Sequence, residues 1–222
     1  MGAGDVRVDA RHPVDREGFI WITDGRAENG RGQQVFKFDR NGRVLLTLGT
    51  KGVGGVTDTT FDGPCDVDVD SKGNIYVADG HRNSRVVKFT KDGAFVKAWG
   101  GRGAAPGQLN VPHALAIDSR DRVLVTDRGN RRVQVFDADG NYVASWTGFG
   151  TMPDGIAIGP DDTMYVADVG EGGGVTIASA RDGTIRSKIS GTRAEGLSVD
   201  RRGTIYAGET TRGRTLRVFA KP

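Results

Sequence analysis

Short apolar runs separated by turn residues follow one another along the whole chain. The runs are rich in Val, Ile, Tyr and Phe, and most are followed by glycine, aspartate or asparagine. The dipeptides Asn41-Gly42, Asp92-Gly93 and Asp139-Gly140 supply the positive φ that two-residue hairpins need. No window outside the turns sustains the spacing of an amphipathic helix. The pattern therefore predicts an all-β protein built from hairpins.

These runs recur as five copies of one unit. The copies cover residues 12–49, 66–100, 114–148, 155–190 and 196–220. Equivalent positions lie 48 residues apart from Cys65 to His113, and then 41 residues apart to Asp154 and again to Glu195. Four short strands in a unit of about 40 to 50 residues are typical of a β-propeller blade. We therefore predict a single β-propeller domain over residues 1–222, with four-stranded blades and a shorter last copy.

Composition narrows the function classes. The chain has 222 residues, and its 35 glycines are accounted for by the repeated turns. A single cysteine excludes an intramolecular disulfide. No apolar stretch approaches the roughly 18 residues that a membrane span needs. Lys and Arg number 31 against 28 acidic residues and are spread over all copies, so we predict neither a membrane nor a nucleic acid as partner.

One carboxylate recurs at the end of the second strand of each copy. A short carboxylate there can accept backbone N–H bonds from the neighbouring loop, so we predict a structural role for this position. The recurring residues are Asp24, Asp79, Asp127, Asp168 and, in the last copy, Glu209.

The repeats resemble NHL repeats, and their order along the chain resembles the peptidyl-α-hydroxyglycine α-amidating lyase family. The stretches that carry this resemblance are Trp-Ile-Thr-Asp at 21–24, Gln-Val-Phe-Lys-Phe-Asp at 34–39, Val-Leu-Leu-Thr-Leu-Gly at 44–49, Ala-Asp-Gly at 78–80 with Asn-Ser-Arg at 83–85, and Pro-Gly-Gln at 106–108 leading into Val-Pro-His at 111–113. The resemblance implies a six-bladed propeller with a zinc ion on its axis. It also implies cleavage of the N–C bond of a peptidyl α-hydroxyglycine, which releases the peptide amide and glyoxylate.

The resemblance assigns roles to individual residues. His113 coincides with a zinc-ligand position and Arg128 with a catalytic arginine position. The other two ligand positions fall on Ala10 and Glu195, and the family's catalytic tyrosine falls on His81. The implied roles are a base for His81 and carboxylate binding for Arg128. The first residues resemble a family linker before the first complete blade, which predicts a chain truncated at its N-terminus.

The repeat geometry points to the same end of the molecule. The residues that precede the innermost strands should converge at one mouth of the central channel. In a six-bladed ring, alternate copies would place His113 and Glu195 around one ion, and a histidine with a carboxylate is a divalent-metal donor set. The resemblance implies that this metal is zinc, with calcium as the alternative. Further contacts at this mouth are predicted for His12, Cys65 and Asp154.

Three functions stay open at this stage. The first is an amidating-lyase-like enzyme whose small-molecule or peptide ligand binds at the channel mouth. The second is a non-catalytic NHL propeller that binds a protein or small ligand there, and the third is a metal-dependent hydrolase or lactonase on the same scaffold. The resemblance favours an enzyme. No apolar secretion signal opens the sequence, although members of the family are usually exported, so neither localisation nor oligomeric state is predicted.

Overall fold

Eighteen strands form five antiparallel sheets in the computed structural model, which describes residues 14–15, 17–26, 28–209 and 215–220. The first sheet contains β1 (Ile20–Asp24), β2 (Gln34–Phe38) and β3 (Val44–Leu48). The second contains β4 (Pro64–Val69), β5 (Ile75–Asp79), β6 (Arg85–Phe89) and β7 (Phe95–Gly100). The third contains β8 (Pro112–Ile117), β9 (Val123–Asp127), β10 (Arg132–Phe136) and β11 (Tyr142–Thr147), with a single 3-10 turn, η1 (Arg128–Asn130).

The last two sheets complete the set. The fourth contains β12 (Pro153–Ile158), β13 (Thr163–Asp168), β14 (Gly174–Ser179) and β15 (Ile185–Ser190). The fifth contains β16 (Gly196–Val199), β17 (Ile205–Gly208) and β18 (Leu216–Phe219). Within the described ranges there is no α-helix, and hence no helix long and apolar enough to cross a membrane.

Each sheet is a propeller blade, as the repeats predicted. Within a blade the strands pair in chain order, and the first strands β4, β8, β12 and β16 lie side by side around a cavity of about 530 Å³. In the first blade, Val14 forms an antiparallel bridge with Ile20 and reaches the same cavity. The described residues form five blades, whereas the family resemblance implied six.

The core lies between neighbouring blades. The second strands β5, β9 and β13 are buried at every position, because both faces of each sheet pack against another blade. Leu115, Val125 and Phe136 of the third blade, for example, share one apolar cluster with Tyr76 and Val86 of the second. The outermost strands β7, β11 and β15 are largely exposed. This gradient explains why the second strands show continuous apolar runs in the sequence.

Polar latches also join successive blades. Asp121 accepts hydrogen bonds from the backbone N–H and the hydroxyl of Ser71, at 2.9 and 2.6 Å. Asp162 holds Ser119 in the same way, at 3.1 and 2.7 Å. Both aspartates have a φ of 57°, in the left-handed region that Asp tolerates better than most residues. The second blade is thereby tied to the third, and the third to the fourth.

The recurring carboxylates are structural, as predicted. Asp79 accepts hydrogen bonds from the backbone N–H of Asp62, from Asn83 and from Arg85. Arg85 in turn donates to carbonyls of the loop that precedes the blade, among them Val56 and Thr60. Other blades repeat parts of this arrangement through Asp127 with Arg132, Asp168 with the Met152 N–H, and Glu209 with Arg217.

Candidate metal centre and its ion-pair chain

Three site residues lie on β-bulges at the start of innermost strands. The pairing register shifts between Pro64 and Asp66, between Pro112 and Ala114, and between Pro153 and Ile156. Cys65, His113 and Asp154 each follow the proline inside one of these irregularities. A bulge leaves one residue out of the ladder and can re-aim its side chain. The repeated bulge therefore presents one side chain from each of three successive blades to the same end of the propeller.

Cys65, His81 and His113 form a group that can hold a metal ion. Their ligand atoms, one Sγ and two ring nitrogens, all lie within 4.8 Å of one another. The Nε2 atoms of His81 and His113 are 3.1 Å apart. Cys65 and His113 are buried, whereas His81 is exposed at the mouth. The group is thus closed on the protein side and open to solvent on the other.

Glycines bring the loop of His81 against the third blade. A Cβ on Gly80 would overlap the carbonyl of Pro112, and a Cβ on Gly63 would lie 2.5 Å from that of His81. The backbone N–H groups of Gly80 and His81 both donate to the carbonyl of Gly63, at 3.3 and 3.1 Å. This close backbone approach is what places the His81 ring beside His113.

Asp154 fixes the tautomer of His113. Its Oδ1 lies 2.7 Å from Nδ1 of His113, and the Asp154 side chain is fully buried. A neutral imidazole that donates from Nδ1 presents a lone pair at Nε2, and a carboxylate behind a ligating histidine is a common feature of zinc sites.

The donor set fits zinc. Zinc–nitrogen bonds of 2.0–2.1 Å at a tetrahedral angle put two nitrogen ligands about 3.3 Å apart, close to the spacing of the two histidines. Two imidazoles and a thiolate are softer than the all-oxygen sets that calcium takes, so this group favours zinc over calcium.

Asp154 also links this group to Arg128. Its Oδ2 lies 3.1 Å from the guanidinium of Arg128, whose side chain is 26 % exposed. Arg128 opens the turn η1, which is held by a hydrogen bond from its N–H to the carbonyl of Val111. One buried carboxylate therefore contacts both a candidate metal ligand and a cation at the mouth.

The structure brings five of the predicted site residues together: Cys65, His81, His113, Arg128 and Asp154. Glu195, predicted beside His113, is not part of the group; it is half-buried, and its backbone N–H donates to Gly208. His12 and Ala10 lie outside the described residues. The prediction that Glu195 lies beside His113 assumed a regular six-bladed ring, in which alternate blades face one ion. In the structure, the loop of His81 reaches His113 from the adjacent blade instead. Two features of the sequence could have indicated this arrangement: the proline that begins each bulged strand and the Asp-Gly-His sequence that contains His81.

Comparison with known proteins places this site on a known kind of scaffold. The NHL repeat family matches residues 61–89 and 109–136. The chain is thus a β-propeller with two segments that match the NHL repeat.

Its similarity to named proteins is more specific. It is 40 % identical to rat peptidylglycine alpha-amidating monooxygenase over 125 residues, which are 53 % of this chain and 12 % of that protein. It is 33 % identical to human NHL repeat-containing protein 3 over 140 residues, or 59 % of this chain and 40 % of that one. A match at 34 % over 129 residues is to peptidyl-alpha-hydroxyglycine alpha-amidating lyase 1 of Drosophila melanogaster, covering 53 % of this chain and 23 % of that protein. The matched segments thus span less than half of each relative.

Solved structures agree on the fold. A streptogramin B lyase structure superposes with a TM-score of 0.68 at 17 % identity, over 99 % of this chain and 70 % of that one. An inactive variant of virginiamycin B lyase from Staphylococcus aureus gives a TM-score of 0.67 at 14 % identity, over 99 % and 72 % of the two chains.

Proposed function

We propose that this chain is a metal-dependent carbon–nitrogen lyase that cleaves N-acyl α-hydroxyglycines, with a peptide or small N-acyl compound bound at the channel mouth. The observation that carries the proposal is the convergence of Cys65, His81 and His113 beside Arg128, with Asp154 joining the two parts. The similarity to named amidating lyases supports the choice of reaction.

The substrate makes three demands on the site. It carries a hydroxyl and a carboxylate on the carbon whose bond to nitrogen breaks. The hydroxyl proton is lost as the C–N bond breaks, the oxygen forms the carbonyl of glyoxylate, and the released nitrogen takes up a proton to give the amide. The site must therefore bind the carboxylate, ease the loss of the hydroxyl proton and let protons exchange.

The residues present answer these demands. Arg128 has a partly exposed guanidinium, which can bind the substrate carboxylate through charge-assisted hydrogen bonds. Cys65, His81 and His113 would hold a zinc ion, which would supply Lewis acidity toward the substrate hydroxyl. His81, predicted as the base, has its Nε2 turned toward that of His113, so we assign it to metal binding here. Protons then exchange with water at the open mouth beside His81.

The test combines metal content with product release. Purified protein is expected to hold one zinc per chain and to release glyoxylate from an N-acyl α-hydroxyglycine faster than the uncatalysed reaction. His113→Ala should lose both properties. Arg120→Met should keep both, because Arg120 pairs with Asp118 at the opposite end of the blade. Zinc-loaded protein that releases no glyoxylate above background would refute the lyase assignment.

A further inference from the structure

We infer that Asp154 is a positioning residue that couples metal binding at His113 to carboxylate binding at Arg128, so that each ligand strengthens the binding of the other. The inference rests on the metal-binding part of the proposed function. It adds a requirement for the ligand, which must present an anionic group at Arg128 while the metal is bound.

The geometry makes Asp154 a shared partner. One carboxylate oxygen lies 2.7 Å from Nδ1 of His113, and the other lies 3.1 Å from the guanidinium of Arg128. The Asp154 side chain has no solvent exposure, so water cannot screen either interaction effectively. His113 and Arg128 come from the third blade and Asp154 from the fourth. His113 and Asp154 lie in bulges flanked by paired residues, and Arg128 lies in η1.

The charges set the sign of the coupling. A divalent ion on His113 adds positive charge to a region that already holds the Arg128 cation, and Asp154 supplies one negative charge between them. A carboxylate bound to Arg128 offsets the guanidinium charge and leaves more of the field of Asp154 to the metal-bound imidazole. Charges a few ångströms apart interact much more strongly in a buried site than in water. Metal and carboxylate should therefore bind with positive cooperativity, and linkage requires the effect to be reciprocal.

The same coupling would select among substrates. A ligand with a free carboxylate next to its reacting hydroxyl would bind to the metal-loaded site more tightly than to the metal-free site. An analogue in which an amide replaces that carboxylate would gain little from the metal through this route. Among the N-acyl α-hydroxyglycines proposed above, the coupling would therefore favour those whose carboxylate is free.

Zinc affinity measured without turnover tests the coupling. The full chain is titrated with Zn²⁺ in competition with a chromogenic chelator, with and without formate as the smallest carboxylate probe. Formate is expected to tighten zinc binding by about fivefold or more, the lower end of typical coupling between sites. Arg128→Met and Asp154→Asn should each remove this difference. Arg120→Met, which removes a half-exposed arginine paired with the buried Asp118, is the matched control and should retain it.

The alternative outcomes separate the explanations. Coupling that survives in Arg128→Met would mean that formate binds the metal directly, and it would overturn the inference. An absence of coupling in the wild-type protein would overturn it too, whatever the glyoxylate assay shows. If Asp154→Asn fails to fold, Arg128→Lys gives a second test, since a lysine that still pairs with Asp154 should keep part of the effect. Coupling without glyoxylate release would refute the lyase assignment and leave the inference standing.

Discussion

Single residues placed by backbone irregularity define the candidate site. Cys65, His113 and Asp154 each follow a proline inside a bulge, where the side chain is released from the strict alternation of the strand. The sequence identified all three as mouth residues because they precede innermost strands. It did not predict that His81 meets His113, because that contact depends on how closely the backbone at Gly80 approaches Pro112.

Substitution of Cys65 best distinguishes a metal site from a polar loop that binds no metal. Cys65→Ser should lower zinc affinity by more than about 10-fold, since a neutral hydroxyl is a poor zinc ligand. Even changes to residues that only support a ligand typically lower metal affinity by about 10-fold or more. The fold should be retained, because serine is close in size to the buried cysteine and can donate to the same Gly63 carbonyl.

Competition with a chelator measures the affinity, and a thermal melt of the metal-free protein checks the fold. Unchanged zinc affinity in a folded Cys65→Ser protein would remove Cys65 from the ligand set.

At the scale of the blade, the recurring carboxylate ties the second strand to its loop. In the last blade this residue is Glu209, which accepts hydrogen bonds from the hydroxyls of Thr192 and Thr215 and from the Arg193 N–H. These hydrogen bonds, with a smaller contribution from the charge of Arg217, lower the pKa of Glu209 from 4.5 to about 2. Folding is therefore favoured by the ionised form, and this contribution is present above the unfolded pKa.

Acid should remove the stabilising effect of Glu209. Because its folded pKa is lowered, the contribution is fully present above pH 4.5 and is lost as the pH falls toward 2. Glu209→Gln should therefore have a lower urea midpoint than the wild type at pH 7, and the difference should shrink at pH 3.

Glu171→Gln, at an exposed position, controls for the loss of one surface charge. A Glu209→Gln deficit as large at pH 3 as at pH 7 would contradict the assignment of these hydrogen bonds to the ionised carboxylate.

The blades could be predicted from the sequence more fully than the contacts between them. Turn dipeptides and apolar runs located the strands, and the copies set the order of the sheets, because these are local signals. The Ser71–Asp121 and Ser119–Asp162 latches join residues 50 and 43 positions apart. Such pairs depend on the angle between neighbouring blades, which no local pattern in the chain specifies.

In the whole molecule, blades fit one another through glycine turns that pack on aromatic side chains. A Cβ on Gly140 of the third blade would lie 2.5 Å from the Trp99 ring of the second, and Gly183 of the fourth packs in the same manner on Trp146. Gly42, at the equivalent turn of the first blade, has the same φ of 78° and no described atom within 4 Å of such a Cβ.

Comparing Gly140 with Gly42 isolates the contribution of contact between blades to the stability of the protein. Alanine at either position incurs the backbone strain of positive φ, about 1 kcal/mol. Gly140→Ala must also displace Trp99, so it should cost roughly 1–3 kcal/mol more than Gly42→Ala, as overpacking typically does. Urea unfolding of both variants measures the difference. Equal losses in the free energy of unfolding would show that the packing of this turn on Trp99 does not contribute to stability.

Cys65 and His81 belong to the second blade and His113 to the third. An ion bound by all three would therefore cross-link the two blades at the seam between them. Ligands that bind only the native state stabilise it in proportion to the logarithm of their concentration over the dissociation constant. The zinc concentration would then set the stability of the folded protein as well as the fraction of loaded sites. At low zinc concentration, this seam would be the first part of the molecule to become susceptible to proteolysis.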